Sequence, residues 1–544
     1  MAAHSSRERR FGFWLVPLGT GGVLVTVLLT VWLLYVEPYA RQDRILAALT
    51  GKMDVREVHY SNPPRGFAET LRIKLGVQHF RPVYHVVLAF RESDPGAERE
   101  MRMLSRMPFV ENIDFRNALP ATYLHTILKT RTLHRVRIRR ILMNDANARE
   151  LPLMPQINEI DGFLYPAPAR GLTDRGIADF IAKCPNLRFF NDPVSDDASV
   201  MLDGYRYRYL GAIPYDRDRE SKEKIATREI MDPRISEALA RCVHLEYLAL
   251  RNYALSDDDL ARFARLQQLQ ELRFHSTPRI TDAGLKSLAS LRKLKRLDLS
   301  HSAVTDAGLE WLHDLDIEYL DISNTPVKGP GLRHLRKCNH LYIWNTGVAD
   351  EGLAFLNAFL TDTEGESPPQ APPRLQVLLA GPRITDAGLK HLEKCPQLAD
   401  LSLHESSITG AGLKRCLDRL PQIRRLDLSR CTIDFSDCGA DFDIGEKNRQ
   451  LQYLDLSGMR LKNTPWELLI RFPRLRSLSL ANTNITDEDL HALKTCKGLD
   501  MLDLSGTAVT DTGIGYLKVH PGIRSLVLRD TANGVRRLYF PVPR

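Results

Sequence analysis

The sequence lacks the short motifs that mark most nucleotide, metal and acyl-transfer sites. It contains no G-x-x-x-x-G-K-[ST] phosphate loop, no H-E-x-x-H zinc motif, no C-x-x-C pair and no G-x-S-x-G nucleophile motif. We therefore predict no catalytic residue, no cofactor and no metal site, and we expect a protein that is not an enzyme.

Long runs of one charge are also missing, although the 544 residues carry a formal net charge of +8. The absence of a block of about five or six like charges argues against a nucleic-acid-binding arm, so no nucleic acid partner is predicted. A hydrophobic content of 43% with 26% charged residues is typical of folded soluble protein, rather than of a disordered chain or a polytopic membrane protein.

One pattern recurs along the second half of the chain, most clearly in Leu294–Leu315, LKRLDLSHSAVTDAGLEWLHDL. Recurrence of L-x-x-L-x-L every ~20–29 residues predicts a solenoid in which each copy supplies one strand and one helix. Regular copies open at Leu245, Leu269, Leu294, Ile317, Cys338, Leu375, Leu398, Ile423, Leu451, Leu475, Leu499 and Ile523.

Weaker matches to the same frame open upstream at Val83, Val110, Leu133, Ile157 and Leu187. They are spaced by about one repeat each, so the array is predicted to begin near residue 83. Because chance apolar triples are common, periodicity alone leaves open whether the segments before 157 are true repeats.

Within a copy, alternation predicts a strand whose leucines point inward and whose intervening residues point outward. A Thr-Asp pair such as Thr305-Asp306 follows the strand. Thr is a good helix N-cap, and Asp in the first turn complements the helix dipole. An aspartate that recurs in most copies indicates scaffold rather than a catalytic constellation.

Cysteines are few, eight in all, and several occupy equivalent positions. Cys184, Cys242, Cys395 and Cys496 each lie three residues before the first apolar residue of a copy. Such placement predicts reduced, buried thiols that fill the same apolar site in successive copies, rather than a disulfide framework.

The longest uncharged run is 11–36, and its 26 residues exceed the ~20 needed to cross a bilayer. A cleaved signal peptide would have an apolar core of only ~7–15 residues before small residues at a cleavage site. We therefore predict a single-pass transmembrane signal anchor, with the basic N-terminus in the cytoplasm and the repeat domain extracytoplasmic.

These features predict the organisation of the whole chain. The predicted segments are a cytoplasmic tail at 1–10, the signal anchor at 11–36, a linker and N-terminal cap at 37–82, degenerate repeats at 83–191, an insertion at 192–241, regular repeats at 242–532 with loop insertions at 357–374 and 432–450, and a C-terminal tail at 533–544.

The frame L-x-x-L-x-L-x-x-[TS]-x-[IV]-T-D-x-G-L-x-x-L, with Cys before the next Leu, resembles the cysteine-containing, ribonuclease-inhibitor-like class of leucine-rich repeat proteins. The resemblance covers Leu245–Asp530. It implies an α/β fold, a leucine-rich repeat solenoid of horseshoe shape with a parallel inner sheet and outer helices, here after one N-terminal transmembrane helix. It also implies a role in binding other proteins. Some eukaryotic members are substrate receptors of ubiquitin ligases, but this chain has no F-box-like segment.

Binding is expected on the outward residues of the inner sheet, where Tyr, Trp and Arg are the types that anchor interfaces. The alternative role of such aromatic residues is cross-strand packing. We predict a membrane-anchored scaffold or recognition module with a protein partner on the concave face. One alternative is an extracytoplasmic receptor-like module for a glycan or cell-envelope ligand. Another is a ubiquitin-ligase-type receptor or an enzyme. The candidate contact residues are Arg273, His275, Tyr319, Tyr342, Trp344 and His404.

Two pairs of aspartates occupy the same outward strand position in consecutive copies, Asp298 with Asp321 and Asp427 with Asp455. Carboxylates one strand apart, ~4.8 Å, repel each other unless a cation or an arginine lies between them. Arg273 holds this position in the copy before Asp298. The sequence leaves open a calcium ladder or a solvated, salt-bridged ladder.

Overall fold

A computed structural model of the chain divides it into two compact units, Met1–Ile160 and Asp161–Arg544. The structure describes residues 41–42, 44–45, 54–60, 83–89, 102, 105–106, 112–120, 126, 135–142, 145–161, 173–192, 230–250, 254–274, 277–356, 375–433, 450–461, 472–493, 496–517, 520, 522–528 and 536–539. No helix among these residues is both long enough and apolar enough to cross a membrane. The predicted span at 11–36 lies outside them.

The first unit contains strands at each of its weak repeat matches. Strand β1 pairs antiparallel with β2, and β2 to β5 then follow in parallel. The apolar frame is in register from copy to copy, since Val86 lies opposite Ile113 and Ile113 opposite Val136. Its elements are β1 Asp54–Tyr60, β2 Val83–Ala89, β3 Asn112–Pro120, β4 Arg135–Leu142, helix Asp145–Glu150 and β5 Glu159–Asp161.

In the second unit the strands from β6 to β18 are parallel and follow chain order, as expected when each copy adds one strand beside the last. The strands are β6 Phe189–Asp192, β7 Tyr247–Leu250, β8 Glu271–Phe274, β9 Arg296–Asp298, β10 Tyr319–Asp321, β11 His340–Tyr342, β12 Val377–Leu379, β13 Asp400–Ser402, β14 Arg425–Asp427, β15 Tyr453–Asp455, β16 Ser477–Ser479, β17 Met501–Asp503, β18 Ser525–Leu528 and β19 Arg536–Tyr539.

A short helix lies between most successive strands of this unit. The α-helices are Asp174–Ala182, Pro233–Ala240, Asp257–Phe263, Asp282–Leu288, Asp306–Leu309, Asp350–Ala354, Asp386–Leu392, Gly410–Arg419, Asp487–Leu493 and Asp511–Leu517, and 3-10 turns occupy Glu310–Leu312 and Pro330–His334.

The core of the second unit is a ladder of leucines between the sheet and the helices. Leu297 of β9, Leu299 directly after it, and Leu285 and Leu288 of the preceding helix are all fully buried. Removing this apolar surface from water is the main driving force that holds each coil against the next. The seven described cysteines are free, and six of them are buried. Cys184, Cys242, Cys395 and Cys496 are among the buried six, which confirms the prediction of reduced, buried thiols at these positions.

The Thr-Asp pair links one coil to the next in addition to starting a helix. The hydroxyl of Thr305 accepts a hydrogen bond from the backbone N–H of Ala307 at 3.3 Å, as predicted for an N-cap. The same hydroxyl donates to Asp282 Oδ2 of the preceding coil at 2.6 Å, and the Thr305 N–H donates to Asp282 Oδ1 at 2.8 Å. Each such aspartate therefore caps the next coil.

This contact also explains the glycine of the T-D-x-G sequence. A Cβ on Gly308 would lie 2.3 Å from Asp282 Oδ1, and one on Gly412 would lie 2.1 Å from Asp386 Oδ1. Only glycine leaves room for the carboxylate of the preceding coil at these positions.

Many coils carry Ser or Thr three residues after the last apolar residue of the strand. The hydroxyl of this residue bonds mainly within its own coil. Thr325 donates to the Ile322 carbonyl at 2.7 Å, and Thr483 donates to the Leu480 carbonyl at 2.6 Å. Ser406 differs, because its hydroxyl reaches back to the Gly381 carbonyl of the preceding coil at 3.1 Å. A bond between coils is thus the exception among these hydroxyls.

Two segments at the ends of the repeat array have more regular structure than the sequence predicts. Residues 233–240 form a helix, although 192–241 was predicted as an insertion. In the predicted tail, β19 pairs antiparallel with β18, with Leu538 opposite Leu526. This pairing covers the last open strand edge of the array, which would otherwise expose unpaired backbone groups.

Candidate functional site

The open face of the sheet, defined as the face opposite the leucine ladder, carries the residues between the leucines in straight rows. Strand register sets Glu271, Arg296, Tyr319 and His340 side by side in one row. Residues two positions further along point to the same face and form a parallel second row, which consists of Arg273, Asp298, Asp321, Tyr342 and Leu379.

Arg273 lies at one end of this group, with its side chain 26% exposed. Its Nε donates a hydrogen bond to Glu271 Oε1, and its guanidinium lies 6.0 Å from the ring centroid of Tyr247. The other oxygen of Glu271 is 4.0 Å from Arg296 Nε. Both arginines are therefore directed to Glu271.

Asp298 and Asp321 lie opposite each other in neighbouring strands. Each accepts a hydrogen bond from the backbone N–H two residues further on, Ser300 at 3.0 Å and Ser323 at 2.9 Å. This local bond stabilises the turn at the end of the strand. Burial and the negative charge of Asp321 raise the pKa of Asp298 to about 7.

Tyr319 and Tyr342 form the aromatic centre of the face. Their ring centroids are 4.9 Å apart, and Tyr319 also stacks at 6.2 Å on His340. Both tyrosines are half-buried, so part of each ring remains accessible. Burial, Tyr342 and the nearby carboxylates raise the pKa of Tyr319, which keeps its hydroxyl protonated.

Trp344 and His404 meet across an intervening coil, with ring centroids 6.4 Å apart. The coil between them carries Gly381 at the equivalent position, so no side chain separates the two rings. His404 is held from its other side, because its Nδ1 lies 2.6 Å from Ser429 Oγ. The hydroxyl of Ser429 in turn donates to Asp427 Oδ1 at 2.5 Å.

The structure thus brings Tyr319 and Tyr342 together, places Arg273 on the same face, and joins Trp344 to His404. His275 lies outside the described residues. Residue types alone did not identify Glu271 and Ser323 as neighbours of these side chains. The recurring Asp-x-Ser sequence at the strand ends was the signal that could have indicated the local turns.

A second aspartate pair lies further along the same face. Asp427 is opposite Asp455, and Asp455 accepts a hydrogen bond from the Tyr453 hydroxyl at 3.0 Å. The guanidinium of Arg425 lies 4.8 Å from the Tyr453 ring centroid. Ser402 donates to Asp427 Oδ2 at 2.8 Å. Among the described residues no group of three or more metal-ligating side chains could hold a metal ion.

Comparison with protein-family models matches residues 290–312 and 449–509 to leucine rich repeat models. A coronatine-insensitive protein homolog 1b from Oryza sativa subsp. japonica is 36% identical over 98 residues, which are 18% of this chain and 15% of the relative. Human podocan-like protein 1 is 27% identical over 262 residues, 45% of this chain and 49% of the relative. The chain therefore spans half or less of the length of these curated relatives.

Among solved structures, an internalin (inlF) from Listeria monocytogenes is 20% identical, with a TM-score of 0.37, 52% of this chain covered and 80% of that chain. TLR13 in complex with ssRNA13 is 15% identical, with a TM-score of 0.39, 82% of this chain covered and 61% of that chain.

Proposed function

We propose that this leucine-rich repeat protein is a membrane-anchored recognition module that binds another protein through the open face of β8 to β13. The contact patch consists of Arg273, Tyr319, Tyr342, Trp344 and His404, and the sequence adds His275. The observation that carries the proposal is the half-buried pair Tyr319 and Tyr342 beside Trp344, on a face where the later described coils carry glycine, histidine, serine or alanine at the Trp344 position.

Cross-strand packing alone does not explain why Trp344 stands on this face. Its direct neighbours in the row are Ser323 and Gly381, which offer it no ring to stack on. Its ring contacts His404 two coils away instead. Large aromatic rings held on a rigid sheet with little rotamer freedom are well suited to anchor a partner.

The membrane anchor and the orientation are part of the proposal. The uncharged run at 11–36 supports the anchor, and the short basic N-terminus supports export of the repeats. Protease treatment of intact cells or spheroplasts tests the orientation. Digestion of the repeat domain before lysis is expected, whereas digestion only after lysis would reverse the orientation.

Proximity labelling of the full chain in its membrane tests the binding role. The variant Tyr342→Ser/Trp344→Ser is expected to lose partners that the wild type labels. The matched control is Trp311→Ser, because Trp311 is 38% exposed on a helical segment away from the open face and contacts Lys286 at 5.1 Å.

An unchanged set of labelled proteins in the open-face variant would exclude the patch as the contact surface. Loss of partners in both variants would point to a general defect instead, and a thermal melt of each variant separates that case. Glycan-array binding that the wild type shows and the open-face variant loses would favour the envelope-ligand alternative.

A further inference from the structure

We propose that the open face contains a site for one basic side chain of the protein partner, best an arginine, formed by Asp298, Asp321 and Ser323 beside the paired rings of Tyr319 and Tyr342. This inference rests on the proposed protein-binding function and specifies the chemistry of the partner. We call these five residues the cation site.

The register of the strands assembles the acidic part of the site. Asp298 and Asp321 are paired directly across β9 and β10, so their Cα atoms are one strand spacing apart, ~4.8 Å. Tyr342 is paired with Asp321 across β10 and β11. Tyr319 lies two residues before Asp321 on the same face.

One polar group of the site is not satisfied by any residue that the structure describes. Ser323 is only 2% exposed, and its Oγ has no hydrogen-bond partner. A buried hydroxyl without a partner carries a desolvation cost that a donor from a ligand would remove. By strand alternation Ser323 points to the same face as Asp321, whose carboxylate already holds the Ser323 N–H at 2.9 Å.

Neither carboxylate forms an ion pair with a residue that the structure describes. Arg273 is paired in register with Asp298, but its Nε donates to Glu271, and Arg296 is directed to the same glutamate. Burial and the charge of Asp321 raise the pKa of Asp298, and the charge of Arg273 offsets this rise only in part, so an incoming cation would stabilise the ionised pair.

In the second aspartate pair, Asp427 and Asp455, the carboxylates accept hydrogen bonds from side chains of the protein itself. Asp455 accepts the Tyr453 hydroxyl, and Asp427 accepts the hydroxyls of Ser402 and Ser429. Arg425 lies over the Tyr453 ring, where an incoming cation would have to lie. Each carboxylate oxygen of this pair has a donor within the protein, whereas beside Asp298 and Asp321 the Ser323 hydroxyl has none.

The surroundings favour an organic cation over a metal ion. Aromatic rings attract guanidinium and ammonium groups through their π faces, and a buried metal would need more oxygen ligands than two carboxylates and one hydroxyl. A planar guanidinium has five donors and can bond two carboxylates and a hydroxyl while it stacks on a tyrosine. Arginine therefore fits better than lysine.

The test uses the immobilised full chain and three pools of short random peptides that differ only in the central residue. That residue is arginine, lysine or citrulline, which has the shape of arginine without its charge. The wild type is expected to retain the arginine pool about tenfold more than the citrulline pool, with lysine between them. Asp298→Asn/Asp321→Asn should remove this preference, because asparagine keeps the local acceptor but not the charge.

The matched control is Asp427→Asn/Asp455→Asn, which removes the same charge from the same face and should retain the preference for arginine. Ser323→Ala, a milder change, should weaken it about threefold through one lost hydrogen bond. Equal retention of all three pools by the wild type would overturn the cation site, as would loss in both double variants. If calcium alone binds the wild type but not Asp298→Asn/Asp321→Asn, that result would also overturn the cation site.

Failure of this inference can be told apart from failure of the proposed function. If proximity labelling loses partners in Tyr342→Ser/Trp344→Ser but not in Asp298→Asn/Asp321→Asn, the face binds protein without a cation site. If neither variant loses partners, the open face is not the contact surface.

Discussion

The two aspartate pairs on the open face have the same spacing and the same kind of neighbours, but they are satisfied differently. Around Asp427 and Asp455 the structure supplies a tyrosine hydroxyl and two serine hydroxyls as donors. Around Asp298 and Asp321 it supplies the backbone N–H groups of the local turns and the Ser300 hydroxyl, but no side-chain donor from a neighbouring described strand, and Ser323 Oγ has no partner.

This difference distinguishes a structural aspartate pair from a candidate binding pair on a face where the two pairs have the same sequence pattern. A pair whose oxygens are all bonded internally contributes to stability, and removing it should cost stability. A pair left with like charges side by side costs stability, and a ligand of opposite charge would recover that cost. The comparison predicts opposite responses to matched substitutions.

The largest difference is expected when one aspartate of each pair is replaced by alanine. Asp455→Ala leaves the buried Tyr453 hydroxyl and the Ser457 N–H without an acceptor, so the free energy of unfolding should fall by about 2–3 kcal/mol. Asp321→Ala loses one local bond but relieves repulsion on Asp298, so the loss should be below about 1 kcal/mol. Urea unfolding measures both, and equal losses would remove the distinction.

A smaller difference is expected between two serines at equivalent positions. Ser429→Ala breaks the link between His404 and Asp427 and should cost about 1–2 kcal/mol. Ser323→Ala removes a hydroxyl that has no partner and should leave stability unchanged or slightly raised. If Ser323→Ala destabilises as much as Ser429→Ala, the hydroxyl has a structural bond and the site is not open.

The smallest effect is a dependence of stability on pH at Asp298. Its folded pKa of about 7 lies above the ordinary value of 3.8, so its protonated form favours the folded state. That contribution is fully present below about pH 4 and is lost as the pH rises through 7. Asp298→Asn should therefore melt a few degrees higher than the wild type at about pH 8, and the gain should shrink toward pH 4.

The control for this pH effect is Asp503→Asn. Asp503 holds the Ser505 N–H at 2.9 Å in the same way, but Ser479 and Val527 lie opposite it in place of a second carboxylate. A gain at high pH in both variants would show that the effect does not come from the pair.

The repeating coil could be predicted from the sequence because its signals are local. The alternating leucines, the Thr N-caps and the unpaired cysteines each depend on a few neighbouring residues, and the structure has them as expected. The bond from Asp282 to Thr305, and the glycine that makes room for it, could not be read in the same way. They depend on how one coil is stacked on the next.

The candidate site shows the same limit. Strand alternation correctly placed Tyr319 and Tyr342 on one face, because it needs only the period of the strand. The contact of Trp344 with His404 depends on Gly381 in an intervening coil, and the two aspartate pairs differ only in neighbours from other strands. The sequence pattern therefore identified the face, but not which of its carboxylates have hydrogen-bond donors from neighbouring strands.

Site-specific photocrosslinking in the native membrane tests the central claim most directly. A photoreactive phenylalanine analogue at Tyr342, beside the open aspartate pair, is expected to crosslink a partner. The same analogue at Met501, on the same face but beyond the satisfied pair, is expected to give none. No crosslink from Tyr342, or the same partner crosslinked equally from both positions, would contradict the account.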